Sequence, residues 1–229
     1  MLTVLALQHS YSEGDGTFLL EYFGKAKALA DLLIARHAAS LKFGSDDPRY
    51  GIPQGGDDAL HQRTVQMETP IQQHEVQPMH WYAAAAELYR ACTEIGTVWS
   101  AIGKSKQRAD VAAHGAELLA LAPQVYKQLH ASLNKTTSNG CMPLTAEKTE
   151  LPTPSFRGYA ELLFSGALTA QQAAEVYTAA SSSSCGPRLL VLGSPALDGA
   201  AISTPTAYGL AYGLLQHDMV EKFLLHFFT

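Results

Sequence analysis

Apolar residues recur at steps of three and four along most of this chain, the spacing that lines one face of an α-helix. The stretch 206–228 is the longest near-continuous apolar run. In it Tyr208, Tyr212, Leu215, Met219, Phe223 and His226 form one stripe, and Leu210, Leu214 and Leu225 a second. A helix apolar on two sides is normally surrounded by other helices. Gly209 and Gly213 lie inside the run. Each glycine costs a helix about 1 kcal/mol relative to alanine, so both predict close approach of another helix or a ligand. Gln216, His217, Asp218 and Glu221 are its polar groups, and the chain stops just after it at Thr229, which reads as truncation.

Five further helices follow from the same period. One spans 18–41, with Thr17 as its cap. The clearest spans 78–102, where Trp81, Ala85, Leu88, Cys92, Ile95, Trp99 and Ile102 make one stripe and Pro78 suits the first turn. Glu87, Arg90 and Glu94 occupy its other side. They form either a solvated ion ladder or a polar inner face turned toward a cleft. The next helix, 107–133, contains Pro123, which predicts a kink or a split. A short helix at 156–165 is stopped by Gly166, and 169–181 opens with a Thr169/Gln172 capping box. Residues 1–8 read as a strand or the tail of a helix, and 189–192 as a short strand. The stretches 43–77, 134–154 and 194–205 read as loops.

Short connections (103–106, 166–168) alternate with long ones, the rhythm of helical hairpins. The expectation is a single all-α domain over 1–229 with its long loops at one end. No solenoid period is present. With 47% apolar and 16% charged residues, the chain can build a sizeable core. A net charge of −5 gives no footprint for nucleic acid, and no run reaches transmembrane length. Cys92, Cys141 and Cys185 are widely spaced and define no disulfide framework. The Asn134-Lys135-Thr136 sequon is a short motif that arises readily by chance. None of the nine histidines falls in a metal-binding spacing, and His9, His37, His61 and His114 are expected to be solvated or core residues. No metal and no cofactor is predicted.

Carboxylates and aromatics gather near loops and helix starts. Asp57, Asp58 and Glu75 lie on the 43–77 loop, and Trp81 and Tyr82 open the helix after it. Glycoside chemistry uses such groups: one carboxylic acid protonates the leaving oxygen and a second carboxylate attacks or activates water. Aromatic faces stack on sugar rings. Several segments resemble the six-hairpin (α/α)6 toroid glycosidase-like proteins: 159–169, 192–195, 206–228, Tyr50-Gly51-Ile52-Pro53 with Gly55-Gly56-Asp57-Asp58, and 89–99. The resemblance implies an inner ring of alternate helices and a carbohydrate cleft at the loop end. A full toroid needs twelve barrel helices, so this chain is expected to be a partial toroid, a fragment of a larger domain.

The expected function is that of a glycoside hydrolase-like domain acting on a polysaccharide or oligosaccharide. Asp57, Asp58 and Glu94 are the acid/base candidates, and Trp81, Tyr82, Tyr208 and Gln216 the sugar contacts. One alternative is a non-catalytic helical module binding glycans or proteins. Another is a polysaccharide lyase, with His61 and Arg63 as the groups to inspect.

Overall fold

The computed structural model describes residues 2–12, 14–55, 79–147, 156–181, 197–198, 201–202 and 204–227. These form an all-α fold. Its helices are α1 (Leu2–Tyr11), α2 (Thr17–Glu21), α3 (Phe23–Ser40), α4 (Tyr82–Ser105), α5 (Ala109–Thr136), α6 (Phe156–Phe164), α7 (Ala170–Ser181), α8 (Thr204–Gln216) and α9 (Val220–Phe227). Two antiparallel two-residue ladders accompany them: β1 (Gln54–Gly55) with β2 (Met79–His80), and β3 (Leu197–Asp198) with β4 (Ala201–Ile202).

The hairpin of α4 and α5 is the spine. Ala85, Leu88, Cys92, Ile95, Trp99 and Ile102 are all buried, as their period predicts, while Trp81 at the head of the stripe is only half-buried. Glycines bring the two helices together. A Cβ on Gly103 would overlap the backbone nitrogen of Ala112, and one on Gly115 would lie 2.5 Å from the Ser100 nitrogen and 2.8 Å from the Gly96 carbonyl oxygen. Because these neighbours are backbone atoms, they cannot swing aside.

Two apolar clusters lie along this spine. One joins Phe23, Ala26 and Ala30 of α3 to Trp99, Val111 and Leu118, with Phe23 edge-on to Trp99 at 5.1 Å. The other gathers Tyr82, Leu129 and Leu133 with Leu162 and Leu163 of α6, Val176 of α7, and Leu210 and Leu214 of α8. Gly213 allows that last contact, since a Cβ there would come within 2.6 Å of the Leu163 Cβ. Gly209 faces Ala160 at an ordinary 3.6 Å. His37 and His114 are buried.

Some boundaries differ from the sequence expectation. The helix expected at 18–41 breaks at Tyr22 (φ −97°, ψ 7°), and the Asp15 carboxylate, accepting from the Thr17 N–H at 3.1 Å, supplies the side-chain bond expected from Thr17. Residues 2–11 are helical, not extended. The helix α5 begins at Ala109, because Gln107 takes φ 55° and ends α4: the Arg108 N–H donates to the Gly103 carbonyl at 2.8 Å. The closing run is two helices, because Asp218 takes φ 56° and the Met219 N–H donates to the Leu214 carbonyl at 2.8 Å. Both joints are Schellman stops built on non-glycine residues. Helix α5 runs unbroken through Pro123, which sits on its exposed side, where water can reach the Leu119 carbonyl left without a donor. Cys141 is disulfide-bonded and Cys92 is a free, buried thiol. The strand expected at 189–192 lies outside the described residues.

Gly103→Ala should lower stability by roughly 1–3 kcal/mol despite alanine's better helix propensity, because overpacking outweighs the propensity gain. Gly24→Ala, whose Cβ would meet nothing within 4 Å, should be neutral or slightly stabilising. Urea titration of both variants tests the contact, and equal midpoints would refute it.

Candidate functional site

The C-terminal end of α6 draws the functional groups together. Ala160, Leu162 and Leu163 are buried, and Gly166 at φ 70° turns the chain away. A helix end leaves carbonyl groups unsatisfied and carries partial negative charge. Here side chains from other helices serve the carbonyls at and just past this end. Arg90 Nη1 of α4 donates to the Phe164 carbonyl at 2.9 Å, and His130 Nε2 of α5 donates to the Ala167 carbonyl at 2.8 Å. Ser165 Oγ donates to the Leu162 carbonyl at 2.7 Å, and His217, between α8 and α9, hydrogen-bonds the backbone of Leu163. Burial lowers the pKa of both His130 and His217, while the backbone bond opposes it in each.

Arg90 is only 8% exposed. Its Nε donates to Glu94 Oε1 at 2.8 Å and its guanidinium lies 3.9 Å from the centroid of the Phe164 ring. The Glu94 side chain is 31% exposed. Glu87, two turns earlier on the same face of α4, is pushed up to about 7 by burial, with Glu161 and Glu94 adding to the rise and Arg90 opposing it. Neutral and charged forms of Glu87 therefore coexist near pH 7. Arg90 and Glu94 form the i, i+4 pair of the ion-ladder reading, while Arg90 is buried and Glu87 largely desolvated.

Aromatic rings border this end. Tyr89 and Tyr126 lie 5.2 Å apart, Tyr126 and His130 4.0 Å, and Phe164 and Tyr212 5.1 Å. Tyr212 is 43% exposed. The amide of Gln216 lies against Gly166, so close that a Cβ there would overlap it. The site combines a carboxylate held by an arginine, a carboxyl near half-protonation, imidazoles and ring faces. Such a set can hold hydroxyl-rich ligands and move a proton.

Two of the predicted site residues, Glu94 and Gln216, thus flank one helix end. Tyr208 lies one turn before Tyr212 on α8, and its side chain is outside the described residues, as are Asp57, Asp58, His61 and Arg63. Trp81 stands thirteen residues before Glu94, about 20 Å along the helical rise, and belongs to a different place. Tyr82 is corrected: it is fully buried, its hydroxyl 2.9 Å from Ser132 Oγ and 2.7 Å from Thr136 Oγ1, so it offers no face to a sugar. Sequence reasoning missed Tyr126 and His130, whose four-residue spacing on α5 was the available signal.

Trp81 sits instead at the base of the long connection. There β1 pairs with β2, and His80 Nδ1 lies 2.5 Å from Glu147 Oε1. The ring of Phe43 packs edge-on to His80 at 5.1 Å and beneath the Arg49 guanidinium, which Asp47 grips through two nitrogens. Among the described residues no group of histidine, cysteine and carboxylate side chains could hold a metal ion, and no helix is long and apolar enough to cross a membrane. No family model, no curated protein and no solved structure matches this chain.

The Glu87 environment fixes a pH dependence. A carboxyl whose folded pKa, about 7, exceeds its ordinary 4.5 binds more protons folded than unfolded between those values. Stability then falls as pH rises through that window, by on the order of 3 kcal/mol across it. Glu87→Gln should flatten the profile and be the more stable form above pH 7. Denaturation at a series of pH values checks this, and parallel profiles for the two proteins would refute it.

Proposed function

We propose that this chain is a carbohydrate-active, glycoside hydrolase-like helical domain whose ligand site lies at the C-terminal end of α6. The single observation that carries the reading is the meeting there of a carboxylate fixed by Arg90 through one oxygen, its other oxygen buried without a hydrogen bond, a carboxyl poised near neutrality, and ring faces near Gln216. In this reading neutral Glu87 is the proton donor to a leaving oxygen, and Glu94, seven residues on and about 10 Å along the helical rise, is the base that activates water. Tyr126 and Tyr212 stack on sugar rings, and Gln216 and His130 recognise hydroxyl groups. The all-helical hairpin build and the resemblance to six-hairpin toroid glycosidases support the same class. Asp57 and Asp58 remain candidates for acid/base work on the long connection.

A second reading, a non-catalytic module that binds glycans or proteins, is favoured by apolar residues exposed along α8 and α9: Leu215 at 46%, Val220 at 44% and Leu224 at 44%.

Titration calorimetry and product analysis against a panel of neutral and acidic oligosaccharides separate the readings. Hydrolysis that Glu94→Gln lowers by roughly 100-fold or more, with binding kept, supports the enzyme. Binding that Tyr126→Ala abolishes, with no product formed, supports the module. An unsaturated product would mark a lyase, and neither binding nor turnover across the panel would overturn the carbohydrate reading.

A further inference from the structure

Helix α5 runs into a short exposed turn whose reactivity is set by its own residues. Beyond Thr136 the chain reads Thr137-Ser138-Asn139-Gly140-Cys141. Asn139 takes φ 52° and Gly140 φ 72°, the paired positive values of a two-residue turn that favours Asn-Gly. Ser138 and Cys141 close it. The Cys141 N–H donates to the Ser138 carbonyl at 2.9 Å, and the Ser138 N–H donates back to the Cys141 carbonyl at 3.3 Å. Ser138, Asn139 and Gly140 are all exposed, and a Cβ on Gly140 would meet nothing within 4 Å. Nothing therefore crowds the Gly140 backbone, whose nitrogen can close a five-membered ring on Asn139 Cγ.

Two comparable positions are held. The other asparagine, Asn134, stands in the last turn of α5, where the Lys135 N–H lies within the helical ladder. Asp15-Gly16 is the matching acidic pair. The Asp15 carboxylate accepts from the Thr17 N–H at 3.1 Å and from the Thr17 hydroxyl at 2.7 Å, and Gly16 packs so tightly that a Cβ there would lie 2.9 Å from Ile102. At Asn139 the restraint is a pair of backbone bonds at the protein surface, and such turns open locally without unfolding the domain.

We propose that Asn139 is a modification site, deamidating spontaneously through Gly140 with no enzyme required. In the opened turn the Gly140 amide nitrogen attacks Asn139 Cγ. The new N–C bond closes a succinimide, and the side-chain nitrogen leaves as ammonia, taking the proton of the attacking amide. Water then opens the ring. Attack at Cγ leaves an aspartate. Attack at the main-chain carbonyl leaves an isoaspartate, whose main chain runs through Cβ and Cγ. Either product adds a negative charge. The isoaspartate also lengthens the main chain by a methylene, so Ser138 and Cys141 can no longer pair. The next residue is Met142, 1% exposed, whose carbonyl accepts from the Tyr159 hydroxyl at 3.1 Å. Ageing at Asn139 thus reaches the apolar cluster that holds α6.

The full chain, aged in mildly alkaline buffer and mapped by peptide mass, provides the test. The peptide bearing Asn139 should gain about one mass unit, and an isoaspartyl methyltransferase should methylate it. Its half-life should lie within roughly tenfold of that of a synthetic peptide of residues 136–140, because opening of the turn is local. The Asn134 and Asp15 peptides should convert more slowly than Asn139 by roughly tenfold or more, since their reacting groups are held out of line. Asn139→Gln should remove the mass gain. The aged protein should melt roughly 2 °C or more below the fresh one, while Asn139→Asp, with the added charge but an unaltered main chain, should melt with the fresh wild type. Conversion more than roughly a hundredfold slower than in the peptide, equal conversion at Asn134, or an aged protein that melts like the fresh one would each overturn the proposal.

Discussion

The approach of α4 to α5 at Gly96, Gly103 and Gly115 sets the geometry on which the other helices rest. Glycines let backbone meet backbone, so the hairpin has almost no freedom to slide or roll. Once that contact is fixed, the direction of every other side chain on both helices follows. The apolar stripe of α4 faces inward, and Glu87, Arg90 and Glu94 are carried round to meet α6. The second glycine contact, Gly213 against Leu163, fixes α8 on α6 in the same manner. Polar groups that would be solvated on an isolated α4 are desolvated because the packing leaves them no other place.

That desolvation gives the α6 end its character. Its carbonyl groups need donors, and Arg90 and His130 supply them from two different helices. Each donor is thereby positioned by a backbone atom of a rigid element. Arg90 in turn orients Glu94, while Glu87 lacks a comparable partner and shifts toward its neutral form. Burial raises the Glu87 carboxyl, while the arginine beside it on the same face bonds Glu94.

Much of the scaffold was legible in the sequence because its signals are local. The Thr169/Gln172 capping box forms as the pattern indicates, with the Gln172 N–H donating to Thr169 Oγ1 at 3.2 Å and the Thr169 N–H donating back to Gln172 Oε1 at 3.1 Å. Gly166 stops α6, and Gly213 marks a close approach. The stops at Gln107 and Asp218 were not legible, because residues other than glycine rarely adopt positive φ and nothing local announces them. The periodicity of the final run likewise continues straight across Asp218. At the site, spacing placed Glu87, Arg90 and Glu94 on one face but not what that face would meet. Tyr82 shows the converse: an aromatic at a helix start suits a ligand contact or a core hydroxyl equally, and only Ser132 and Thr136, some fifty residues away, decide between them. The joining of Arg90 to Phe164 is equally non-local, reaching across 74 residues of chain.

Pro123 has a consequence beyond its tolerance within α5. It removes one rung from the hydrogen-bond ladder of the spine near the place where the two apolar clusters divide. Val111 and Leu118 belong to one, Leu129 and Leu133 to the other, and Tyr89 packs against both. The α3-packed cluster nevertheless continues past the proline to Val125, so side-chain packing bridges the missing rung and α5 remains one element.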